Sequence, residues 1–494
     1  MNLKNKSIPV AVTFVFAILN LSSVLAQRAK TISYVDYSLV NAEKYTLRVD
    51  EKPFYMTNVQ VRLDKLYGYL GWDDQALEKV VKRAVDDGFN TLSIPIHWRE
   101  VEPEKDRFDW TILDKYLNWC KKYNVKMELL WFSWSSGGRI QWLINDAEKG
   151  IKELRTPDYV CSVNGKSDYT VLRDQWEFSL DWRDKLLRER DRFVLAKVMA
   201  HISEWDENNA NPHIVVGVQL GNEARTHGAN TATADEIVDY YSYVGKAVKE
   251  SNYVMWTRLN CVSNETLSRL QANERKRSSG GTNIDFVGID IYGTNAEDVK
   301  GDMRGQMSDI GLNFPMIMEI DAKDKNSPIY QLSALAGNKS FDYYNFAIVD
   351  GNELYKEGVK KGELIERAHI QEIRNRNKIL NLANQDIATK AHGKGLYVFN
   401  FAGNSTRKEE GIQGISFIPR TERSQAIFIK HSPKELVLLS TEGGEFEISG
   451  NSRISSITMG YFDKKNNWIK IDAVNPSNNK LDAKGASGYL IRKK

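Results

Sequence analysis

The chain has 494 residues, a formal charge of +3, 41% hydrophobic and 27% charged residues, three cysteines and seven histidines. So little net charge gives no electrostatic reason to expect nucleic acid, and three cysteines cannot build a disulfide framework. The aromatic content, 12 Trp, 22 Tyr and 18 Phe, suits a large core and also the stacking of sugar rings, whose C–H faces are apolar.

Residues 1–26 read as a signal peptide: Lys4 and Lys6, an apolar run from Ile8 to Leu25, and a small-residue ending Val24-Leu25-Ala26. The expectation is an exported protein, periplasmic or extracellular, with no membrane insertion after cleavage. A retained anchor is the alternative, disfavoured because Asn20 and two serines interrupt the apolar run and the polar sequence Gln27-Arg28-Ala29-Lys30 follows directly. No later stretch is long and apolar enough to span a bilayer.

From about residue 45 to 390, short β-branched runs alternate with helical patterns. The strand candidates are PFYMTNVQV, NTLSIPIHW, VKMELLWFSW, IVVGVQLGNE, VMWTRLNCV, IDFVGIDIYG, FPMIMEID and FDYYNFAIV. Helical stretches between them include QALEKVVKRAVDDG, closing on Gly88, and the long DKLLRERDRFVLAKVMAHISEW. The basic residues from Lys185 to Arg192 alternate with acids and read as a solvated helix face. Eight βα units predict an α/β fold, a (β/α)8 TIM barrel over residues 27–392, with a doubly wound open sheet as the alternative. Glu148 to Asp181 shows little periodicity and reads as a long third βα loop at the active-site rim. After His392-Gly393 the pattern changes to short strands separated by Gly, Asn and Ser turns, which predicts a C-terminal antiparallel β-sandwich domain over 393–494.

Catalytic groups of a barrel stand at the C-terminal ends of its strands. The fourth strand ends in Asn222-Glu223, and the seventh ends in Glu319 after the apolar Met316-Ile317-Met318. Either acid alone could be structural, paired with an arginine. Together they suggest two carboxylates flanking a glycosidic bond. Neighbouring candidates for substrate binding are Arg62 on the first strand, His97 ending the second, Trp131 and Trp134 ending the third, Asn222, and Tyr292 ending the sixth. Each has a structural alternative: a paired arginine, a core histidine, barrel-packing indoles, a turn asparagine, a core tyrosine. Asp290 and Asp321 are rival carboxylates, Asp290 sharing a strand face with Tyr292, and Glu102 before Pro103 reads as structural.

This pattern resembles the clan of retaining (β/α)8 glycosidases, in which the acid/base follows an Asn at the end of strand four and the nucleophile ends strand seven. Residues 96–131 are similar to the second-strand region of glycoside hydrolase families 42 and 35, mostly β-galactosidases, most specifically at Glu102-Pro103 followed by Phe108-Asp109. The resemblance covers residues 50–350. It implies Glu223 as acid/base, Glu319 as nucleophile, and Asn222 bonded to the sugar 2-hydroxyl. The chain departs from family 35 at Gly221, where an acid is usual, and from the clan at strand eight, where Tyr343, Tyr344 and Phe346 replace a Trp.

The expected activity is therefore retaining, exo-acting hydrolysis of β-glycosides, β-galactosides first, on an oligosaccharide or glycan substrate and without metal or other cofactor. A carbohydrate-binding protein on a degenerate barrel is the rival from another class. A metal-dependent hydrolase would need clustered ligands, and only His97 and His227 fall near strand ends. No motif sets an oligomeric state.

Overall fold

The computed structural model describes residues 30–39, 44–136, 139–140, 156–157, 159–160, 167–173, 178–223, 231–261, 283–301, 313–343, 345–347, 353–399, 409–410, 414–448, 454–475 and 479–494. The leader reading at 1–26, His227, Tyr344 and much of the third loop lie outside the described residues.

Eight parallel strands form the first domain: β1 (Thr57–Gln60), β2 (Thr91–Ile96), β3 (Lys126–Ser136), β4 (Val215–Asn222), β5 (Trp256–Cys261), β6 (Phe286–Ile291), β7 (Met316–Ile320) and β8 (Ser340–Tyr343). Each pairs with the next, and β8 returns to β1 with Phe341 opposite Thr57 and Tyr343 opposite Val59. That last pairing closes the sheet. A doubly wound sheet has two free edges, so closure decides for the (β/α)8 barrel. Each of the eight apolar runs overlaps one barrel strand.

The helices follow from local signals. In α1 (Asp74–Asp86) the Asp73 side chain accepts from the Ala76 N–H at 2.9 Å, and Ala76, Leu77, Val80, Val81 and Ala84 form the buried stripe. In α2 (Thr111–Tyr123) the chain leaves the helix through Asn124 at φ 53°. Asp184 caps α3 (Lys185–Asn208), and a Thr233–Glu236 capping box starts α4 (Ala234–Lys249). Two further helices, α5 (Ser327–Ala336) and α6 (Ile370–Leu382), face the second domain.

Both ends of the barrel interior differ from a simple apolar core. At the N-terminal end, three antiparallel strands, Ser33–Asp36, Thr46–Val49 and Lys52–Phe54, lay Leu47 and Val49 against Val216, Trp256, Phe286 and Met316 and plug the bottom. Above this plug a buried polar layer crosses the barrel. Arg258 on β5 is bidentate on Glu128 of β3, with Nε to Oε1 at 2.8 Å, and Asp342 of β8 lies 3.8 Å from Arg258 Nη2. Asn58 donates to Asp342 at 2.9 Å, Ser93 to Glu128 at 3.0 Å, and the Trp256 indole to Glu128 at 3.0 Å. A charge inside the barrel is tolerated because it is paired and hydrogen-bonded on several sides.

The second domain is the expected antiparallel sandwich. One sheet orders β9 (Leu396–Phe399), β11 (Ala426–Ser432), β12 (Glu435–Ser440), β17 (Ser487–Lys493), β14 (Ile454–Phe462) and β15 (Trp468–Val474). The other orders the short Glu409–Glu410 strand, β10 (Ile415–Pro419), β13 (Gly444–Ile448) and β16 (Lys480–Ala483). Phe399, Phe417, Phe428 and Phe446 fill the space between the sheets. Ile427 and Ile429, on the opposite face of β11 by period two, pack on Leu332 and Leu335 of α5 and Ile379 of α6. Strands β11, β12 and β17 are thus buried along most of their length, which is why they read as near-continuous apolar runs, whereas the edge strand β15 is largely exposed.

Candidate active site

Glu319 stands near the C-terminal end of β7 and is 5% exposed. Its neighbours are polar donors: Tyr292, just past the end of β6, donates its hydroxyl to Oε2, and Gln60, ending β1, donates its amide to Oε1 at 3.3 Å. Burial pushes this carboxyl up to about 7, against the Tyr292 hydrogen bond; the charge of Glu223 adds to the rise, and Gln60 and Arg62 oppose it. Glu223 is therefore within electrostatic reach of Glu319, across the mouth from β4. It sits one residue past that strand, with a left-handed backbone at φ 47°, following Gly221 at φ 75°.

A third carboxyl shares the space. Asp290 on β6 is the register partner of Glu319 and fully buried. Burial holds it well above the carboxylate range, and the charges of Glu319 and Glu223 push the same way, against Arg258 and the amide of Asn260. Three acids this close cannot all ionise readily. Glu319 has a hydroxyl, an amide and the charge of Arg62 favouring its ionised form, and Asp290 has the Asn260 amide and the charge of Arg258.

Arg62 follows β1 and forks onto both oxygens of Asp64, Nε at 3.0 Å and Nη2 at 2.8 Å, with its guanidinium 5.3 Å from the Phe132 ring centre. His97 Nε2 reaches the same Asp64 at 2.9 Å. Burial acts to raise Asp64, but the charge of Arg62 and the bonds from His97 and Arg62 outweigh it and hold the acid well below its usual range. Arg62 places positive charge near Glu319 and is at the same time paired with Asp64. His97 is 3% exposed and its Nε2 is engaged. That corrects the expectation of a sugar contact: this histidine braces the Arg62–Asp64 pair.

The two stacking candidates are also corrected. Trp131 and Trp134 are both fully buried, their indole N–H groups bonded at 2.8 Å to Asp191 of α3 and at 2.9 Å to Tyr240 of α4. The reason is strand geometry. Glu128 points into the barrel, so by period two Trp131, three residues on, points out to the helices. Ser133, at φ 45°, then breaks the alternation, and Trp134 packs on Trp182 with ring centres 4.6 Å apart. Tyr343 and Phe346 are likewise fully buried, each edge-on to Phe89.

Asn222 is half-buried at the end of β4, its Oδ1 accepting from Asn260 at 3.0 Å and Gln219 at 3.1 Å. Gly221 has a local cause: a Cβ there would lie 2.1 Å from the Tyr241 hydroxyl, so the place of a side chain is taken by Tyr241. Glu102 is buried and structural in its bonding, accepting from the Trp98 indole and the Asp106 N–H, both at 2.8 Å, and from Tyr159 and Arg190. Asp321 lies 4.0 Å from Lys323. Among the described residues no group of three or more His, Cys, Asp or Glu side chains converges as metal ligands.

Three site residues went unnoticed in the sequence: Gln60, Gln219 and Asn260. All are amides at or near the C-terminal ends of strands, and the rule that selected Glu223 and Glu319 would have found them had it been applied to amides.

A family model described as "Domain of unknown function (DUF4978)" matches residues 236–406. No curated protein matches. Among solved structures the chain is similar to the exo-beta-1,4-mannosidase Op5Man5 from Opitutaceae bacterium strain TAV5, at 13% identity and TM-score 0.45, over 66% of this chain and 60% of that one. It is similar to the glycoside hydrolase family 30 subfamily 8 xylanase Xyn30A from Clostridium acetobutylicum, at 12% identity and TM-score 0.47, over 90% and 97% of the two chains. Endo-glycoceramidase II from Rhodococcus sp. matches at 12% identity and TM-score 0.45, over 90% and 98%. The chain spans 60% of the mannosidase's length. These descriptions name families and activities other than those of families 42 and 35, and at such scores the likeness assigns neither a family nor an activity to this chain.

Proposed function

We propose that this protein is a retaining, exo-acting glycoside hydrolase of β-linked sugars, with Glu319 as nucleophile and Glu223 as acid/base. The observation that carries the reading is the pair itself: two glutamates at the ends of β4 and β7, the charge of Glu223 felt at Glu319, with the buried Glu319 held by a tyrosine hydroxyl and an amide. A nucleophilic carboxylate must be ionised and fixed in direction, and the Tyr292 and Gln60 donors favour both. In the first step Glu319 attacks the anomeric carbon while Glu223 gives its proton to the departing oxygen. In the second, Glu223 takes a proton from water, which displaces Glu319 from the sugar.

β-Galactosides are the first substrates to try, on the likeness of residues 96–131 to families 42 and 35. The leader-like residues 1–26 favour an exported enzyme acting on external glycans. A panel of 4-nitrophenyl β-glycosides (galactoside, glucoside, mannoside, xyloside) tests the reading. Release of nitrophenol that vanishes in Glu319→Gln supports it. Glycan binding without cleavage of any member, unchanged in Glu223→Gln, would replace it with the carbohydrate-binding alternative.

A further inference from the structure

Asn260 lies on β5, 1% exposed, and its side chain is a junction. Oδ1 accepts the Glu223 backbone N–H at 2.7 Å and the Gln219 amide at 3.4 Å. Nδ2 donates to Asn222 Oδ1 at 3.0 Å and to Asp290 Oδ2 at 3.3 Å. A backbone N–H only donates, so the oxygen of Asn260 must face Glu223 and its NH2 must face Asn222 and Asp290. The orientation of Asn222 is fixed in turn, because its oxygen receives both Asn260 and Gln219.

The segment so held is a strained one. A left-handed backbone is unfavourable for a glutamate, and such conformations persist where the surroundings over-determine them. Glu223 adopts one, two residues after left-handed Gly221, where β4 slips register against β3 between Leu220 and Asn222. The carbonyl of Asn260 meets the chain at that point.

We propose that Asn260 is a positioning residue: its carbonyl sets the backbone of Glu223 so that the carboxyl reaches the departing oxygen, and its amide orients Asn222. This rests on the reading of Glu223 as acid/base. Misplacing an acid slows only the proton transfer. An alkoxide leaves poorly without a proton, whereas dinitrophenolate leaves unaided. Loss of Asn260 should therefore be felt according to the leaving group, which a mere loss of folding would not produce.

The experiment compares kcat/KM, which reports the first, glycosylating step, for wild type, Asn260→Ala and the nearly isosteric Asn260→Asp. The substrates are the methyl and 2,4-dinitrophenyl β-glycosides of the sugar that wild type cleaves, with circular-dichroism melts of each protein. Expected for Asn260→Ala is a loss of about 100-fold on the methyl glycoside and less than about 5-fold on the dinitrophenyl one. Asn260→Asp keeps an acceptor for the Glu223 N–H but turns an oxygen toward the acceptors on Asn222 and Asp290, so its loss should have the same leaving-group selectivity. Equal losses on both substrates, in whichever variants fold, overturn the proposal and leave the glycosidase reading intact. A wild type that cleaves neither substrate overturns that reading and this proposal together.

Discussion

Tyr292 and Glu319 join adjacent strand ends through one hydrogen bond, the phenol donating to Oε2 of a carboxyl that is otherwise buried. The bond opposes the effect of burial, which alone favours the neutral acid. It follows that Tyr292→Phe should raise the Glu319 pKa further. Wild-type kcat/KM should fall as pH drops through about 7, because the nucleophile becomes protonated, and in the variant this acid limb should move to higher pH. A hydrogen bond to a charged group is worth about 1.5–3 kcal/mol, so the loss near neutrality should be about 10- to 150-fold. A pH–rate profile with an unmoved acid limb would refute the pairing.

Asp290 carries the opposite balance, with burial and two acidic neighbours and only Asn260 and Arg258 against them. Its folded-state pKa lies above its unfolded value, so the folded protein binds the extra proton. Stability from this group is fully present below about pH 4, its unfolded pKa, and is lost as pH rises toward the folded value. Asp290→Asn removes that loss. The variant's Tm relative to wild type should therefore be more favourable at pH 7 than at pH 4; the same difference at both pH values would show that Asp290 is ionised in the fold.

Gly221 meets two demands, a φ of 75° and the Tyr241 hydroxyl where a Cβ would go. Gly221→Ala should destabilise by about 1–3 kcal/mol through overpacking, with the backbone strain in addition, and lower kcat because Asn222 and Glu223 follow directly. Adding Tyr241→Phe removes the oxygen but leaves two ring carbons that lie 2.4 and 2.5 Å from the added Cβ, and the strain. The double variant should therefore recover little of the Tm, and full recovery would mean that neither the ring overlap nor the backbone conformation costs anything.

Much of this was legible in the sequence. Alternation of apolar runs with amphipathic helices located all eight strands, and strand-end position selected Glu223, Glu319 and Tyr292. The barrel floor was hidden because Glu128, Arg258 and Asp342 are far apart in sequence and only closure of the barrel brings them together. The bottom plug was hidden because Thr46–Phe54 is two short strands with a tight turn, too short for a periodic signal. Trp131 and Trp134 misled for a different reason: nearness to a strand end says nothing about face, and the irregular backbone at Ser133 made simple alternation unreliable beyond it.

The two domains share a buried contact centred on Arg376, which is wholly buried and bonds to Gln425 at 2.8 Å, Glu442 at 2.9 Å and the Arg423 carbonyl at 3.0 Å. None of these groups lies in the proposed active site. Arg376→Met leaves Glu442 without its partner and should cost about 3–5 kcal/mol, read by urea denaturation. Removal of residues 393–494 should go further, exposing Leu332, Leu335 and Ile379 and reducing solubility. If a soluble barrel so shortened still binds an aryl glycoside but has lost all turnover, the sandwich contributes to the site after all.

The stereochemical prediction follows from the placement of Glu223 and Glu319 at the ends of β4 and β7, three positions apart around the closed ring of eight strands and at the same mouth of the barrel. Carboxyls about 5 Å apart allow direct attack on the anomeric carbon, whereas inversion needs roughly 6.5–9.5 Å to admit a water. The product should keep its anomeric configuration. Glu319→Ala should abolish turnover, since no glycosyl-enzyme can form, and azide placed in the vacated space should restore cleavage with inverted product. Glu223→Ala should behave differently: dinitrophenyl glycosides still complete the first step, and the glycosyl-enzyme accumulates because the second step lacks its base. An NMR time course of the first-formed anomer decides the assignment. Inverted product from the wild-type enzyme would remove Glu319 from the nucleophile role and require a water between the two acids.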